Sequence, residues 1–193
     1  MDGEKDECCR ADDARGRETG AGAAEDAAAG ADGRETAGSP DGLERIRELL
    51  RDDARLVARV VGETRVWDGK IFRVRTLDVA LPDGTTGYRE VVWHNGGAGV
   101  CAVRDGRMCL VRQYRVAMGR MSLEIPAGKL DAGEDPAHCA ARELAEETGL
   151  VAQRLEFVAR AAGSIGFTNE ATSVFLAHGL CAGTARPDNG EFV

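Results

Sequence analysis

This chain of 193 residues has few histidines, no Cys-x-x-Cys motif and no long apolar run. The 3 histidines and 6 cysteines include no Cys-x-x-Cys pair, which argues against a structural zinc site. No apolar run approaches the roughly 20 residues that a membrane-spanning helix needs. The N-terminus reads Met-Asp-Gly-Glu-Lys-Asp-Glu, which is too acidic for a signal or transit peptide, so we expect a cytoplasmic protein.

An excess of basic side chains is missing as well. The net charge is −8, and residues 1–42 hold 12 acidic and 5 basic side chains, whereas the remainder holds 21 and 20. The remainder is therefore nearly neutral and lacks the basic face that nucleic-acid binding requires. Because large apolar side chains are almost absent before residue 41, we expect a disordered acidic tail over 1–41 and one folded domain over 42–193.

The folded part shows many strand patterns around one long helical pattern. Leu43, Ile46, Leu49 and Leu50 recur at helical spacing and predict a short amphipathic helix ending near Asp53. Glycines at 97 and 99 superficially fit a dinucleotide fingerprint, but a strand pattern follows them instead of a helix, so we reject that interpretation. Strands are predicted at 57–61, 64–67, 71–80, 89–94, 100–104, 108–112, 155–161 and 172–177, with turns at Asp83-Gly84 and Asp105-Gly106. This order predicts the α+β class.

The most informative segment is the helical one, residues 128–150. It places Glu143, Glu146 and Glu147 within one turn, where like charges repel unless a counter-ion is present. A hard divalent cation such as Mg²⁺ is a suitable counter-ion because it takes oxygen ligands. The alternative is a solvated acidic face with an ordinary Arg142–Glu146 ion pair.

The same helix has clear start and stop signals. Asp135 is suited to cap its first turn, Pro136 to occupy the first helical position, and Gly149 to end it in a left-handed turn. We expect a packed face on the side away from the glutamates, formed by Ala137, Ala141, Leu144 and Ala145. Cys139 lies one turn before Glu143, and we expect it to fill space because Mg²⁺ does not favour thiolate.

The spacing also resembles a known family. Gly128, five residues, Glu134, seven residues and then Arg142-Glu143-Leu144-x-Glu146-Glu147-x-Gly149-Leu150 match the Nudix box at every fixed position. The lead-in Leu123-Glu124-Ile125-Pro126-Ala127-Gly128 most resembles ADP-ribose pyrophosphatases and related nucleoside-diphosphate-sugar hydrolases. The resemblance implies a Nudix-type α/β/α sandwich with a mixed β-sheet and an N-terminal antiparallel strand region. It covers roughly residues 63–193, and Glu191-Phe192-Val193 resembles the start of a late strand whose following helix is either absent or lost by truncation.

The resemblance also implies site residues. Glu143, Glu147 and the Ala127 carbonyl are expected to bind Mg²⁺, with Mn²⁺ as an alternative, and Glu146 lies beside them. Arg142 is expected to anchor the loop and helix by pairing with Glu134 or a helix glutamate. The general base is expected from a later loop, Ser164-Ile165-Gly166-Phe167-Thr168-Asn169-Glu170, which resembles the family pattern Ser-Pro-Gly-x-Ser/Thr-Asp/Ser-Glu. The catalytic set is therefore Glu170, Glu146 and Arg142, with isoleucine at 165 where the family carries proline.

Two arginines are candidate substrate contacts. Arg115, in the run Arg112-Gln113-Tyr114-Arg115, resembles a phosphate clamp, since guanidinium binds phosphate oxygens in a bidentate manner. Arg89 resembles a region that meets the adenosine part of the substrate near a dimer interface. A plain surface role is the alternative for both, and the resemblance implies a homodimer whose early strands pair or exchange.

These features predict a metal-dependent hydrolase of a nucleoside diphosphate sugar, with ADP-ribose cleaved to AMP and ribose 5-phosphate. One alternative is a hydrolase of a GDP- or UDP-sugar, which the isoleucine at 165 favours. Another is a non-catalytic sensor that binds ligands of the ADP-ribose type. The expected partner is a small nucleotide-sugar substrate, with no nucleic acid and no membrane.

Overall fold

The computed structural model describes residues 40–186. Residues 1–39 of the tail predicted over 1–41 lie outside these residues, as does the predicted late strand from Glu191, whereas residues 40 and 41 belong to a helix. Within the described residues two compact units are distinguished: one holds residues 64–76 and 89–186, and the other holds residues 40–63 and 77–88. Neither of the two helices within residues 40–186 has the length and apolarity needed to cross a bilayer.

The first described elements are one helix and three strands. They are α1 (Pro40–Leu49), β1 (Arg59–Asp68), β2 (Phe72–Ala80) and β3 (Thr86–His94), and the strands form a sheet in the order β1-β2-β3. Helix α1 ends before the predicted Asp53, because Asp53 instead starts a turn in which its carboxylate accepts the Arg55 N–H at 2.9 Å. Strand β1 is continuous, so the predicted interruption between residues 61 and 64 was wrong.

A second sheet supports the helical segment. Its strands are β4 (Gly97–Arg104), β5 (Arg107–Met108), β8 (Ala127–Lys129), β9 (Leu150–Ala162) and β10 (Ala171–Ala182). The order is β5-β4-β10-β9, and β8 also pairs with β4. Strand β10 runs parallel to β4 and antiparallel to β9, while β5 and β8 are antiparallel to β4. The predicted α+β class and mixed sheet are confirmed, and the two glycines of the rejected fingerprint lie inside strand β4.

The predicted strand over 108–112 is broken. Strand β5 ends at Met108 and β6 (Val111–Arg115) starts a new hairpin with β7 (Arg120–Glu124), joined by a 3₁₀ turn over Val116–Met118. Beyond β5 the Cys109 N–H still donates to the Ala102 carbonyl at 2.8 Å, so the chain stays beside β4 for one more residue before the new hairpin begins. The predicted turn before β5 is confirmed, with positive φ at Asp105 and at Gly106.

Helix α2 (Pro136–Thr148) begins and ends where local chemistry predicted. The Asp135 carboxylate accepts the N–H groups of Ala137 at 2.9 Å and His138 at 3.2 Å. Gly149 ends the helix at φ 70°, and its N–H donates to the Ala145 carbonyl. Local signals alone therefore fix both ends of this helix.

The packed face of α2 differs from the expected one. Cys139, Ala140 and Leu144 are fully buried, whereas Ala141 is exposed. Glu143 shares the buried face and is only 8% exposed. The helix turns this face toward β4 and β8, so one of the three glutamates points into the protein instead of away from the packed side.

Candidate active site

One cavity of about 950 Å³ gathers most of the predicted site residues. It takes the end of α2, strand β8, the β6–β7 hairpin and the start of β10 as its walls. Seven predicted residues line it: Arg115, Ala127, Arg142, Glu143, Glu146, Glu147 and Glu170. Arg89 does not line it and lies exposed on β3, so its predicted contact with substrate has no support from this cavity.

The charge of the cavity wall is strongly negative. Six carboxylates face three cationic side chains, which gives a formal charge of −3 with histidine neutral. The acids are Glu124, Asp131, Glu143, Glu146, Glu147 and Glu170, and the cations are Arg115, Lys129 and Arg142. Such a wall repels an anionic ligand unless additional cations are bound with it.

Glu143 fits into a space that only glycine leaves open. A Cβ added at Gly128 would lie 1.8 Å from Glu143 Oε1 and 2.0 Å from its carboxyl carbon. Gly128 belongs to β8, whose pairing with β4 places it opposite Ala98. The sheet therefore forms the floor against which the buried carboxylate rests.

Arg142 organises the acidic cluster. Its Nε and Nη2 donate to the two carboxylate oxygens of Glu134 at 3.1 and 3.2 Å. Its Nη1 donates to Glu143 Oε1 at 2.7 Å and to Glu146 Oε2 at 3.0 Å. The prediction that Arg142 pairs with Glu134 or a helix glutamate is confirmed on both counts.

The electrostatic effect of this network is visible in two groups. The bonds from Arg142, followed by the Asp131 N–H, lower the pKa of Glu134 from 4.5 to about 2. The same carboxylates, Glu134 first, raise the pKa of the Arg142 guanidinium. Arg142 thus stays charged and holds the loop before α2 against the helix.

Glu147 is held from the other side. Its Oε2 accepts the Ala127 N–H at 3.0 Å, so the helix and strand β8 are joined where a metal was predicted. Within residues 40–186, no three His, Cys, Asp or Glu side chains are arranged to hold a metal ion. Arg142 and the Ala127 amide bind oxygens of all three box glutamates in this arrangement.

The donor set nevertheless fits a hard cation. It is made of carboxylate oxygens, with one carboxylate buried over a glycine whose missing Cβ leaves the room it needs. Oxygen donors of this kind suit Mg²⁺ or Mn²⁺ and do not suit zinc. The metal ligands predicted from the sequence remain a prediction.

Glu170 joins the cavity from the loop between β9 and β10. Its side chain is 52% exposed, and its Oε1 lies 3.9 Å from His94 Nδ1. Its N–H donates to Thr168 Oγ1 at 3.0 Å. Ile165, the departure from the family pattern, is 85% exposed and lies outside the described cavity lining.

Arg115 is already paired in this arrangement. Its Nε and Nη2 donate to the two oxygens of Glu124 at 2.8 and 2.6 Å, and the Ser122 hydroxyl bonds the same carboxylate. These bonds, Arg115 first, lower the pKa of Glu124 to about 2. A phosphate that binds Arg115 would have to share or displace this carboxylate.

Sequence reasoning missed several cavity residues. The sequence indicates Glu124 only as part of the lead-in. The hairpin register places Arg115 opposite Arg120 and Glu124 opposite Val111, so Arg115 reaches Glu124 only by extending its side chain along the β6–β7 hairpin. Gln113, Lys129 and Asp131 lie within segments that the sequence singles out, although they were not predicted as site residues. No local pattern marks the others, which tertiary structure brings to the cavity: Ile71, His94, Gly96, Ala117 and Thr172.

Comparison with known proteins agrees with the fold and the acidic helix. The chain matches the NUDIX domain family over residues 93–193. It is 40% identical over 126 residues to an ADP-ribose pyrophosphatase of Bacillus subtilis (strain 168), covering 65% of this chain and 68% of the relative. It is 37% identical over 138 residues to a methanol dehydrogenase activator of Bacillus methanolicus, covering 70% and 75%.

A solved structure described as an ADP compounds hydrolase has a similar fold. It superposes with a TM-score of 0.63 at 23% sequence identity, covering 70% of this chain and 75% of that one. The predicted Nudix-type fold is thereby confirmed. The chain belongs to the NUDIX domain family, and it is a Nudix hydrolase that resembles ADP-ribose pyrophosphatases.

Proposed function

We propose that this protein hydrolyses the pyrophosphate bond of a nucleoside diphosphate sugar with the help of Mg²⁺, and that ADP-ribose is the substrate. The observation that carries the proposal is the −3 charge of the cavity wall. A pyrophosphate is itself an anion, so it can occupy this cavity only together with cations that neutralise both partners. Divalent metal ions bound by the carboxylates meet that requirement.

Glu143, Glu147 and the Ala127 carbonyl would hold the metal, with Glu146 next to them. When bound, the ion neutralises charge on the phosphate oxygens and makes a nearby water easier to deprotonate. Arg142 holds Glu143 and Glu146 in place, and these two carboxylates would share their oxygens between Arg142 and the cation. Mn²⁺ would serve as a substitute because it accepts the same oxygen donors.

Glu170 is proposed as the general base. Its half-exposed carboxylate reaches the cavity from outside the acidic helix, where it can accept a proton from the attacking water. The water oxygen forms a bond to one phosphorus, and the bond from that phosphorus to the bridging oxygen breaks. With ADP-ribose, the products are AMP and ribose 5-phosphate.

Support for ADP-ribose comes from the lead-in to the box and from the similarity to the ADP-ribose pyrophosphatase of Bacillus subtilis. The rival substrate class, GDP- or UDP-sugars, rested on the isoleucine at 165. That side chain is 85% exposed and lies outside the described cavity lining, which weakens the rival.

The test is a side-by-side panel of ADP-ribose, a GDP-sugar and a UDP-sugar, each with saturating Mg²⁺. We expect the highest kcat/KM for ADP-ribose. Arg154→Ala serves as a comparison variant, because Arg154 pairs with Glu156 on β9 and lies outside the described cavity lining. A higher kcat/KM for either rival sugar would overturn the substrate, while hydrolysis of any of them would keep the reaction class.

Cytoplasmic location, the homodimer and the contact between Arg89 and adenosine remain predictions. The dimer is checked by gel filtration with light scattering at the concentration of the activity assay. A fully active monomer would rule out a contact with adenosine at a dimer interface, and with it the predicted role of Arg89.

A further inference from the structure

The loop that carries Glu170 is fastened to the end of strand β3. Within the loop, the Ser164 carbonyl accepts the N–H groups of Phe167 and Thr168, both at 3.1 Å. Toward β3, the Val92 N–H donates to the Phe167 carbonyl at 2.8 Å, and a parallel bridge links Val92 with Thr168. The loop therefore continues the edge of β3 for a few residues before β10 begins.

Asn169, the residue before Glu170, is fastened to β3 by its backbone and by its side chain. Its N–H donates to the Val92 carbonyl at 3.4 Å. Asn169 Oδ1 accepts the backbone N–H of His94 at 2.7 Å, and Asn169 Nδ2 donates to the His94 carbonyl at 3.1 Å. A side-chain amide carries a donor and an acceptor on one carbon, so it can satisfy both backbone groups of a residue at once. We call this pair of bonds the Asn169–His94 clamp.

The His94 imidazole does not hold Glu170 directly. Its Nδ1 accepts the Gly96 N–H at 2.9 Å, so this nitrogen carries no proton to donate toward Glu170 Oε1, 3.9 Å away. With 52% of its side chain exposed, Glu170 depends on its backbone for its position. The clamp acts on Asn169, the residue directly before Glu170.

We propose that Asn169 is a positioning residue, which places the Glu170 carboxylate over the cavity by clamping the loop to the backbone of His94. The inference rests on the proposed function, because it takes Glu170 as the base. Asn169 occupies the place where the family pattern has Asp or Ser, which can supply the acceptor bond. The acceptor contact is the shorter of the two in this structure, so it should carry most of the effect.

Variants at position 169 test the clamp in graded steps. Asn169→Ala loses both bonds, and we expect kcat to fall by about 10-fold with KM within about twofold, the size of one or two lost hydrogen bonds. Asn169→Asp keeps the acceptor but sets a carboxylate oxygen against the His94 carbonyl, so its kcat should lie between those of Asn169→Ala and the wild type. Asn95→Ala is the matched control, because Asn95 makes one long bond of 3.4 Å to the Leu130 carbonyl and does not line the described cavity.

A double-mutant cycle separates positioning from a general structural role. If Asn169 acts through Glu170, Asn169→Ala should cost about 10-fold in the wild-type background and less than twofold in the Glu170→Gln background. Hydrogen exchange gives a second readout without activity: the His94 amide should exchange faster in Asn169→Ala than in Asn169→Asp.

Each outcome decides the proposal. Equal losses in both backgrounds, an unchanged kcat in Asn169→Ala, or an unchanged exchange rate of the His94 amide would overturn the clamp and leave the hydrolase intact. If Glu170→Gln has wild-type activity, the base assignment falls and the clamp falls with it.

Discussion

A methyl group at position 128 tests whether the Glu143 carboxylate must stay where the structure places it. In Gly128→Ala the new Cβ would lie 1.8 Å from Glu143 Oε1, and real Cβ atoms essentially never approach another heavy atom closer than 3.0 Å. The carboxylate would therefore have to move by at least about 1.2 Å, the difference between these distances. Strand β8 leaves little freedom to yield, since Gly128 is paired with Ala98 of β4.

The expected loss of activity follows from that displacement. A misplacement of about 1 Å in a catalytic arrangement can cost about 100-fold in rate, or about 2.7 kcal/mol of transition-state stabilisation. The cost to folding should be smaller, about 1–3 kcal/mol, because the overlap is with the end of a side chain and not with backbone. We therefore expect a folded enzyme with a kcat/KM about 100-fold lower and a higher Mg²⁺ requirement.

The assay is ADP-ribose hydrolysis over a Mg²⁺ titration, with a thermal melt to confirm folding. Gly163→Ala is the control, since a Cβ there meets nothing within 4 Å. A folded Gly128→Ala protein with kcat/KM within threefold of the wild type and the same Mg²⁺ midpoint would refute the role given to the Glu143 carboxylate.

Three further predictions concern the acidic network and the buried Cys139. Arg142→Lys should lower the free energy of unfolding by about 1–3 kcal/mol in a thermal melt, because a lysine cannot bridge Glu134, Glu143 and Glu146. Mg²⁺ should restore part of the loss, and an unchanged Tm would contradict the prediction. Because the pKa of Glu134 is lowered from 4.5 to about 2, its stabilising contribution is present above pH 4.5 and lost on acidification. The Tm gap between the wild type and Glu134→Gln should therefore narrow from pH 4.5 toward 2, and a gap that stays constant would argue against the pair. Burial raises the pKa of the Cys139 thiol to about 12, so iodoacetamide at pH 8 should modify it only after unfolding, as followed by mass spectrometry; rapid modification of the native protein would contradict its burial.

The parts of the fold that depend on local chemistry were predictable from the sequence. Asp135, Pro136 and Gly149 determine both ends of α2 through bonds to residues a few positions away. The turn at Asp105-Gly106 likewise depends on its own two residues and their positive φ angles. Signals of this kind need no knowledge of the rest of the chain.

The parts that depend on tertiary packing were not predictable in the same way. Ala140 and Ala141 are chemically identical, yet the sheet buries the first and leaves the second exposed. The apolar pattern over 108–112 continues without a signal for the change of partner strand, yet Cys109 is still bonded to Ala102 on β4 and a new hairpin begins at Val111. Helical periodicity predicts the helix correctly but assigns its packed face to the wrong side, so the burial of Glu143 was missed.

The candidate site also has a part that the local sequence predicts and a part that depends on tertiary packing. The box spacing alone is sufficient to place Glu143, Glu146 and Glu147 together, because neighbours on one helix turn are set by helix geometry. Glu170 is indicated only by resemblance to a loop pattern. The Asn169–His94 clamp joins positions 75 residues apart, and nothing local at either position indicates it.

The central claim is that the cavity carboxylates carry out metal-dependent cleavage of ADP-ribose. Its most direct test is chromatographic analysis of ADP-ribose incubated with the full chain and Mg²⁺, with EDTA and Glu147→Gln as parallel arms. The account predicts equimolar AMP and ribose 5-phosphate with the wild type and Mg²⁺, and almost none in either parallel arm. Absence of AMP with the wild type, or undiminished AMP from Glu147→Gln or in EDTA, would contradict it.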